Sequence, residues 1–400
     1  MRGNVWAFVV LNALLYLGAP VLYVDVVHAS LCNQLGATKL VANLPTAVAA
    51  ITGFIPLFVA WAFPRSRQIK PVLVTSHLLA AAIGLGLSLV LWLPLPAAVQ
   101  LTLTILHGGL TTALMLTISV YLWEAVMRGT GEAVRGWMFG LTFGLGPLFA
   151  VASSLAVQWA LETLPDPWNF SLLFAGSAVL MLAAAAVAAR FQLSGDESAA
   201  TRESLRVYLF GGLRSFFSSR ILVLVTLATL LTQTGFFVMN NASLEVKSVL
   251  GREPEELSGW ISALRFGVKG LAGVGLGMLL ARGGPRPPAV ATMIALIAAI
   301  VWTMTIPGYA YLFAFGLFGA AELYGVYFPY SVAAASPTDR VTRNAALYGV
   351  LGNLGYLTAA GHGALADRYG AAASLGVALT AAIAALLCVM FLPPAPLRVK

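Results

Sequence analysis

Charged residues are scarce in this sequence of 400 residues: only 10% are Asp, Glu, Lys or Arg, whereas 60% are hydrophobic. A soluble domain typically carries about 25% charged residues. A soluble fold of this size could not cover so much apolar surface, because the exterior of a folded chain in water needs polar side chains. The composition therefore excludes an ordinary soluble protein and indicates a protein whose solvent is lipid.

The motifs of common enzymes and of nucleotide-driven pumps are also missing. The sequence has no His-Glu-x-x-His zinc motif, no Gly-x-Ser-x-Gly nucleophile motif and no Gly-x-x-x-x-Gly-Lys phosphate loop. Its two cysteines, Cys32 and Cys388, have no metal-binding or redox spacing. We therefore predict neither an enzyme nor a bound cofactor or metal, and we expect any transport to be driven by gradients rather than by ATP.

The net charge of +8 does not indicate a nucleic-acid partner, because the basic residues are scattered thinly between apolar runs. Successive loops alternate between the two sides of the membrane, so the loops and termini form two sets. Seventeen of the 23 Lys and Arg residues fall in one set, four fall in the other, and the remaining two lie inside an apolar run. Basic residues gather on the cytoplasmic side of membrane proteins. The distribution therefore predicts a multi-pass protein of the cell (inner) membrane with both termini in the cytoplasm.

Apolar runs of the length that crosses a bilayer, about 20 residues, occur twelve times. The longest polar stretch lies halfway along the chain and has the pattern of an amphipathic helix on the membrane surface. We predict an all-α integral membrane protein with a six-helix bundle at 1–191, a cytoplasmic linker at 192–219 and a second six-helix bundle at 220–400. The twelve predicted helices lie near 5–28, 39–63, 71–93, 97–124, 134–161, 168–190, 220–247, 256–281, 287–306, 309–334, 342–365 and 371–393.

The two halves share local patterns, such as Leu35-Gly36 after the first helix and Leu250-Gly251 after the seventh. Many transporters build two repeats around a central site. Twelve spans in two sets of six, joined by a cytoplasmic loop, resemble the major facilitator superfamily. The phrase Gly363-Ala-Leu-Ala-Asp367-Arg368-Tyr-Gly370 resembles one common in that family, whereas the loop between helices 2 and 3 keeps only the positive charge of the family signature.

The resemblance implies two bundles that rock about a central solute site, in a protein that is a monomer by default. Gly144-Leu-Gly146-Pro147 in helix 5 is similar to a Gly-Pro motif of drug/proton antiporters, although small residues there also suit plain helix packing. The arginine that those antiporters carry in helix 4 is missing, and His107 stands at about that place. This departure favours another subfamily.

Charged residues inside predicted helices are the best candidates for function, because they are costly in lipid and usually face a cavity or a partner. Arg265 and Lys269 lie four residues apart in helix 8 and hence on one face. They suit either a structural ion pair or the binding of an anionic solute. Glu322, near the middle of helix 10, is a candidate proton-coupling group, a partner of Arg265 or Lys269, or both.

Helices 1 and 4 hold further ionisable candidates. The resemblance makes Asp25 a coupling candidate, because helix 1 lines the cavity in the family. Alternatively, Asp25 and His28 simply reach the outer membrane interface. His107 suits either a neutral packing role or a proton relay.

Polar side chains in helices 7 and 10 are candidate solute contacts. Asn240 and Asn241 are adjacent and so cannot share one helix face, which places at least one of them toward the interior. Tyr324 and Tyr327 are expected to face the interior as well.

These observations predict a secondary transporter, proton-coupled or facilitative, for a small polar solute, anions included. The alternatives are proton-driven efflux of amphipathic compounds and a non-transporting membrane sensor or assembly protein on the same scaffold.

Overall fold

The computed structural model describes residues 2–24, 26–63, 66–130, 132–193, 204–336 and 341–393. Within these ranges the chain forms helices joined by turns, and it contains no strand. We number the membrane-crossing segments as spans 1 to 12, and we call residues 2–193 the first half and residues 204–393 the second half.

The first half contains spans 1 to 6, of which spans 3 to 6 are single helices. Span 1 is interrupted after Leu22, and span 2 is a row of four short helices. Their bounds are Arg2–Leu22 with Val26–Gln34 (span 1), Lys39–Ala42 with Leu44–Ala47, Ala49–Thr52 and Ile55–Ala62 (span 2), Ile69–Trp92 (span 3), Ala97–Gly129 (span 4), Glu132–Thr163 (span 5) and Trp168–Ala188 (span 6).

The second half begins with a short helical linker and continues with spans 7 to 12. Spans 7, 10 and 11 are interrupted, whereas spans 8, 9 and 12 are single helices. The bounds are Val207–Gly211 with Gly212–Phe217 (linker), Arg220–Phe236 with Val238–Leu244 and Val246–Leu250 (span 7), Pro254–Gly283 (span 8), Arg286–Thr305 (span 9), Gly308–Leu312 with Phe313–Ala321 and Tyr324–Ala335 (span 10), Val341–Asn353 with Leu354–Tyr356 and Leu357–Tyr369 (span 11), and Ala371–Met390 (span 12).

Eleven helical segments of the described chain are long and apolar enough to cross a membrane, in agreement with the predicted all-α membrane fold. The remaining predicted helix, 342–365, is helical as well. It differs from the prediction of one continuous helix because a 3-10 turn at Leu354–Tyr356 breaks span 11 near its middle. The linker exposes Val207, Phe210 and Phe217 and buries Phe216, which is the pattern of a helix lying on a membrane surface.

Glycines end span 1 and span 7 in the same way. Gly36 and Gly251 both adopt a positive φ, of 81° and 64°, which an L residue with a side chain rarely adopts. Each glycine reverses the chain so that the next span can return through the bilayer. The pattern shared by the two halves in the sequence thus corresponds to a shared turn.

Each half has its own packing, and the halves meet along two seams. In the first half span 3 packs on spans 4 and 6, and span 1 packs on spans 5 and 6; in the second half span 12 packs on spans 7 and 9, and span 10 packs on spans 8 and 9. The two main seams between the halves are formed by spans 5 and 8 and by spans 2 and 11, and span 1 also contacts spans 7 and 8. Residues near these seams therefore lie where a central site is expected.

Candidate functional site: a charged trio beside three interrupted helices

Three charged side chains meet between spans 8 and 10. Arg265 Nε donates to Glu322 Oε2 at 2.8 Å, and Lys269 Nζ donates to Glu322 Oε1 at 2.9 Å. The side chains of Arg265 and Lys269 are only 5% and 9% exposed, and that of Glu322 is 16% exposed. With all three groups ionised, the trio has a net charge of +1 in an environment where an uncompensated charge is expensive.

Aromatic rings enclose the two cations of the trio. The Arg265 guanidinium lies 5.8, 5.7 and 5.7 Å from the ring centres of Tyr23, Phe236 and Phe266, and Lys269 Nζ lies 5.5 Å from the Tyr23 ring. Such positions allow attraction between a cation and a ring face. Because Tyr23 belongs to span 1, the trio touches the first half as well as the second.

Close helix packing positions the trio. Spans 8 and 10 approach so tightly at Gly319 that a Cβ there would overlap the carbonyl oxygen of Arg265, and a Cβ on Gly316 would lie 2.7 Å from Val268. Span 10 is interrupted immediately afterwards, since Glu322 follows the helix Phe313–Ala321 and precedes the next helix. The glycines therefore bring the backbone of span 10 to the distance at which Glu322 reaches both cations.

The interruptions of spans 7, 10 and 11 come together beside the trio. The Phe237 ring, at the break in span 7, lies 4.8 Å from the Tyr356 ring in the 3-10 turn of span 11. Phe236 lies 6.0 Å from Tyr324, at the break in span 10, and also contacts Arg265. Broken helices near the middle of the membrane are typical of transporter binding sites, because irregular backbone is tolerated there where it lines a cavity.

The two predicted tyrosines occupy different surroundings. Tyr324 lies against Phe236 and within hydrogen-bonding reach of the Gln233 side chain, so it belongs to the site. Tyr327 packs in a small apolar cluster with Leu276 and Leu323 inside the second half. The prediction of an interior position holds for both residues, but only Tyr324 is among the interrupted helices.

Asn240 and Asn241 both contact span 2 of the first half. Asn240 Nδ2 donates to Thr46 Oγ1 at 3.2 Å, and Asn241 Oδ1 accepts a hydrogen bond from Asn43 at 2.8 Å. Asn241 also donates to Ser374 Oγ at 3.2 Å. Although adjacent residues point in different directions, both amides reach the seam between the halves.

His107 is paired with His28 inside the first half. His28 Nε2 lies 3.0 Å from His107 Nδ1, and the Phe174 ring lies edge-on to both imidazole rings. His28 is fully buried, so its ring is enclosed by the protein, and its position relative to the outer membrane interface stays a prediction. Asp25, the coupling candidate of span 1, lies outside the described residues.

Most hydrogen bonds between the halves lie at one end of the bundle. This end contains the turns 35–38 and 251–253 and residue Gly370. We call this the predicted outer end, following the distribution of basic residues. Every bonded residue other than Gly53 and Asn353 lies within about three helical turns either of this end or of the turn that follows span 5. The pairs are Ser30–Ser258, Lys39–Glu245, Lys39–Asp367, Leu40–Asp367, Asn43–Asn241, Thr46–Asn240, Gly53–Asn353, Gln158–Glu256, Gln158–Gly259 and Gln158–Trp260.

Sequence reasoning did not identify Tyr23, Gln233 or Tyr356 as members of the site. Aromatic residues make up 10% of this chain, and most of them pack against other apolar groups. A polar glutamine in an apolar helix was the one available signal. The interruption of span 11 could not be anticipated either, because no proline marks it.

No protein-family model and no curated protein sequence matches the chain. Solved structures do match it. The nucleoside transporter NupG is 10% identical, with a TM-score of 0.66 and 98% of each chain covered. A D-xylose-proton symporter is 13% identical, with a TM-score of 0.69 and 98% of each chain covered.

The xylose transporter XylE from E. coli, in a partially occluded inward-open conformation, is 11% identical with a TM-score of 0.69, over 97% of this chain and 98% of that one. These neighbours are transporters rather than enzymes. The likeness extends over nearly the whole chain and agrees with the helices and seams described above. The chain is thus a multi-pass membrane protein with the twelve-helix fold of the major facilitator superfamily.

Proposed function

We propose that this protein is a proton-coupled transporter of a small polar solute, working by alternating access of two halves. The observation that carries the proposal is the trio of Arg265, Lys269 and Glu322, in which one carboxylate serves two buried cations beside the seam between the halves. D-xylose and nucleosides, which the named neighbours carry, are small and polar, and one neighbour is a proton symporter. The distribution of basic residues supports an orientation with both termini in the cytoplasm.

The trio provides a physical route from a proton to a conformational change. A proton on Glu322 would remove the counter-charge from Arg265 and Lys269, and breaking a buried ion pair in this way costs about 3–5 kcal/mol. The two cations would then seek a new partner or a wetter position. Because both contact Tyr23 of span 1, such a movement changes the contact between the halves.

Uptake into proteoliposomes with an alkaline interior tests the proposal. Radiolabelled D-xylose, uridine and D-gluconate are supplied outside, and a lumenal pH dye reports proton entry. We expect wild-type protein to accumulate at least one of these solutes together with protons. Glu322→Gln is expected to abolish accumulation driven by the pH gradient, since its amide does not take up a proton, and Lys269→Ala is expected to abolish transport.

Glu253→Gln is the matched control, because it makes the same change in an exposed ion pair, 2.7 Å from Lys247. It should transport like wild type. Both site variants are first checked for a monodisperse, cooperatively unfolding protein. Gradient-driven accumulation by folded Glu322→Gln at the wild-type rate would refute the coupling role.

A further inference from the structure

Four buried side chains form a row of hydrogen bonds that crosses from one half to the other. His362 Nδ1 lies 2.9 Å from Ser374 Oγ, which also accepts a hydrogen bond from Asn241 Nδ2 at 3.2 Å. Asn43 Nδ2 donates to Asn241 Oδ1 at 2.8 Å. Only Asn43 belongs to the first half, and each of the four residues is at most 2% exposed. We call this row the seam chain.

The direction of the hydrogen bonds at the Asn43 end of the seam chain is fixed by the backbone. Asn43 Nδ2 also donates to the carbonyl oxygen of Lys39 at 2.8 Å, and a carbonyl can only accept. The Asn241 atom that faces this Nδ2 is therefore its oxygen. Asn241 must then present its own Nδ2, a donor, to Ser374.

The histidine end of the seam chain matches a neutral imidazole. His362 Nε2 lies 2.5 Å from the carbonyl oxygen of Thr234, so this nitrogen carries a proton. Ser374 Oγ accepts from Asn241, and its own hydroxyl proton is left for His362 Nδ1. Every bond of the chain is satisfied when Nδ1 is an acceptor, as it is in the neutral ring.

A proton on Nδ1 would reverse the seam chain as far as the other half. Ser374 would accept from His362 and direct its proton to Asn241, whose amide must turn to present Oδ1. The same turn sets Asn241 Nδ2 against Asn43 Nδ2, where two donors meet in place of a hydrogen bond. Asn43 cannot turn in response, because its Oδ1 would then face the carbonyl oxygen of Lys39. Protonation of His362 thus removes a bond that joins the halves.

The charged groups around the seam chain make their described contacts elsewhere. The helix Leu357–Tyr369, which holds His362, packs on spans 2, 7 and 12 and on the turn before it. The titratable side chains of these segments are Lys39, Arg220, Glu245, Lys247, Tyr356, Asp367, Arg368, Tyr369 and Cys388. Lys39 pairs with Glu245, and Asp367 accepts from the backbone of span 2. Within the described chain, the hydrogen bonds of His362 go to uncharged groups alone, so a charge on its ring has no counter-charge in the joined state.

We propose that the seam chain is a proton-sensitive latch, in which a proton on His362 reverses Ser374 and Asn241, releases Asn43 and opens the predicted outer end. This inference rests on the alternating-access part of the proposed function, and it needs neither a particular solute nor the charged trio. His362 lies eight residues before Gly370, or about 12 Å from that end. Protons from the outer side would therefore favour the conformation that opens toward them.

The distance between two spin labels across the predicted outer end tests the latch. The labels are attached at Thr163→Cys and Tyr369→Cys, both exposed, in a Cys32→Ala, Cys388→Ala background. Double electron–electron resonance is recorded in lipid nanodiscs at pH 8 and pH 5, without solute. If the imidazole takes up a proton in the open conformation alone, with the ordinary pKa of about 6.5, the ratio of open to joined protein rises up to about 30-fold.

Two variants interrupt the latch at different points. His362→Asn keeps an acceptor for Ser374 but does not titrate, so its distances should be the same at both pH values. Ser374→Ala keeps the imidazole but breaks the connection to Asn241, and it should lose the pH response as well. His77→Asn is the matched control, because it makes the same change in a buried histidine whose Nδ1 bonds the carbonyl oxygen of Leu73 in its own span, at 2.7 Å. It should respond like wild type.

Other buried titratable groups, Glu322 and the pair His28–His107, are present in every variant, so the difference between wild type and His362→Asn isolates the latch. Three results would overturn the inference: no pH response in wild type, the wild-type response in folded His362→Asn, or an equal loss in His77→Asn. If His362→Asn does not fold, Ser374→Ala makes the test, and a wild-type response in it overturns the inference equally.

Failure of the transport proposal gives a different pattern, because the label distances need neither solute nor gradient. A pH response that depends on His362, without proton-coupled uptake into proteoliposomes, would refute coupled transport and leave the latch intact. Coupled uptake with unchanged distances at the two pH values would refute the latch alone.

Discussion

Asp367 joins the two halves at the predicted outer end, and its replacement gives a quantitative test of alternating access. Its Oδ1 and Oδ2 accept hydrogen bonds from the backbone N–H groups of Lys39 and Leu40, at 3.2 and 2.8 Å. These are the first residues of a short helix in span 2, so the carboxylate of one half caps a helix of the other. Asp367→Ala removes both acceptors.

Loss of a side-chain acceptor at a helix start costs about 1–2 kcal/mol. This loss of free energy destabilises only the conformation in which the halves are joined at this end. Since 1.4 kcal/mol corresponds to a factor of ten, the population open at the predicted outer end should rise about 5- to 30-fold.

Cys32 provides a native reporter of this opening. It is fully buried and packs against Ala42 and against Leu244 of the second half. In a Cys388→Ala background, the rate at which a membrane-impermeant maleimide labels Cys32 in sealed cells is proportional to the open population. We expect Asp367→Ala to raise that rate 5- to 30-fold.

Arg368→Ala is the matched control, because it removes a neighbouring exposed charge whose described contact is with the Tyr369 ring of the same span. Its labelling rate should equal that of the parent. An unchanged rate in Asp367→Ala, or an equal rise in both variants, would show that the cap does not hold this end closed.

Two further predictions concern glycines at close helix contacts. Gly319→Ala should lower the unfolding temperature and the uptake rate, because overpacking costs about 1–3 kcal/mol, whereas Gly325→Ala in the same span has open space and should change neither. The Cβ of Gly259→Ala would overlap Gln158 across the seam between spans 5 and 8, so this change should raise maleimide labelling at the predicted outer end. The Cβ of Gly273→Ala, also in span 8, has no neighbour within 4 Å, and this change should not raise labelling. Equal behaviour within either pair would contradict the packing described here.

The sequence was most informative about the charged residues of the site, because charged residues are rare in this chain. With charged residues at 10% of the chain, Arg265, Lys269 and Glu322 could be recognised as exceptional, and the spacing of four placed the two cations on one face. The contact of Glu322 with both cations was one of the predicted alternatives, and it is present. Their role in coupling stays a prediction.

Interactions between distant spans were not predictable in the same way. The contact of Tyr23 with the trio and the pairing of His28 with His107 depend on how spans pack and on their relative register. Apolar helices with little periodicity carry no signal for that register. The break in span 11 was missed for a related reason, because Gly352-Asn-Leu-Gly355 is compatible with a continuous helix as well as with a bend.

The seam between spans 5 and 8 also has a consequence for the speed of the conformational change. On the side of span 8, glycines form three of its contacts: Gly259 lies against Gln158, Gly267 against Val151 and Gly270 against Pro147. Ordering a large side chain costs up to about 2 kcal/mol of entropy, whereas glycine has none to order. At these three contacts, span 8 therefore has no rotamers to rearrange when the halves separate, which lowers its share of the activation entropy of the movement.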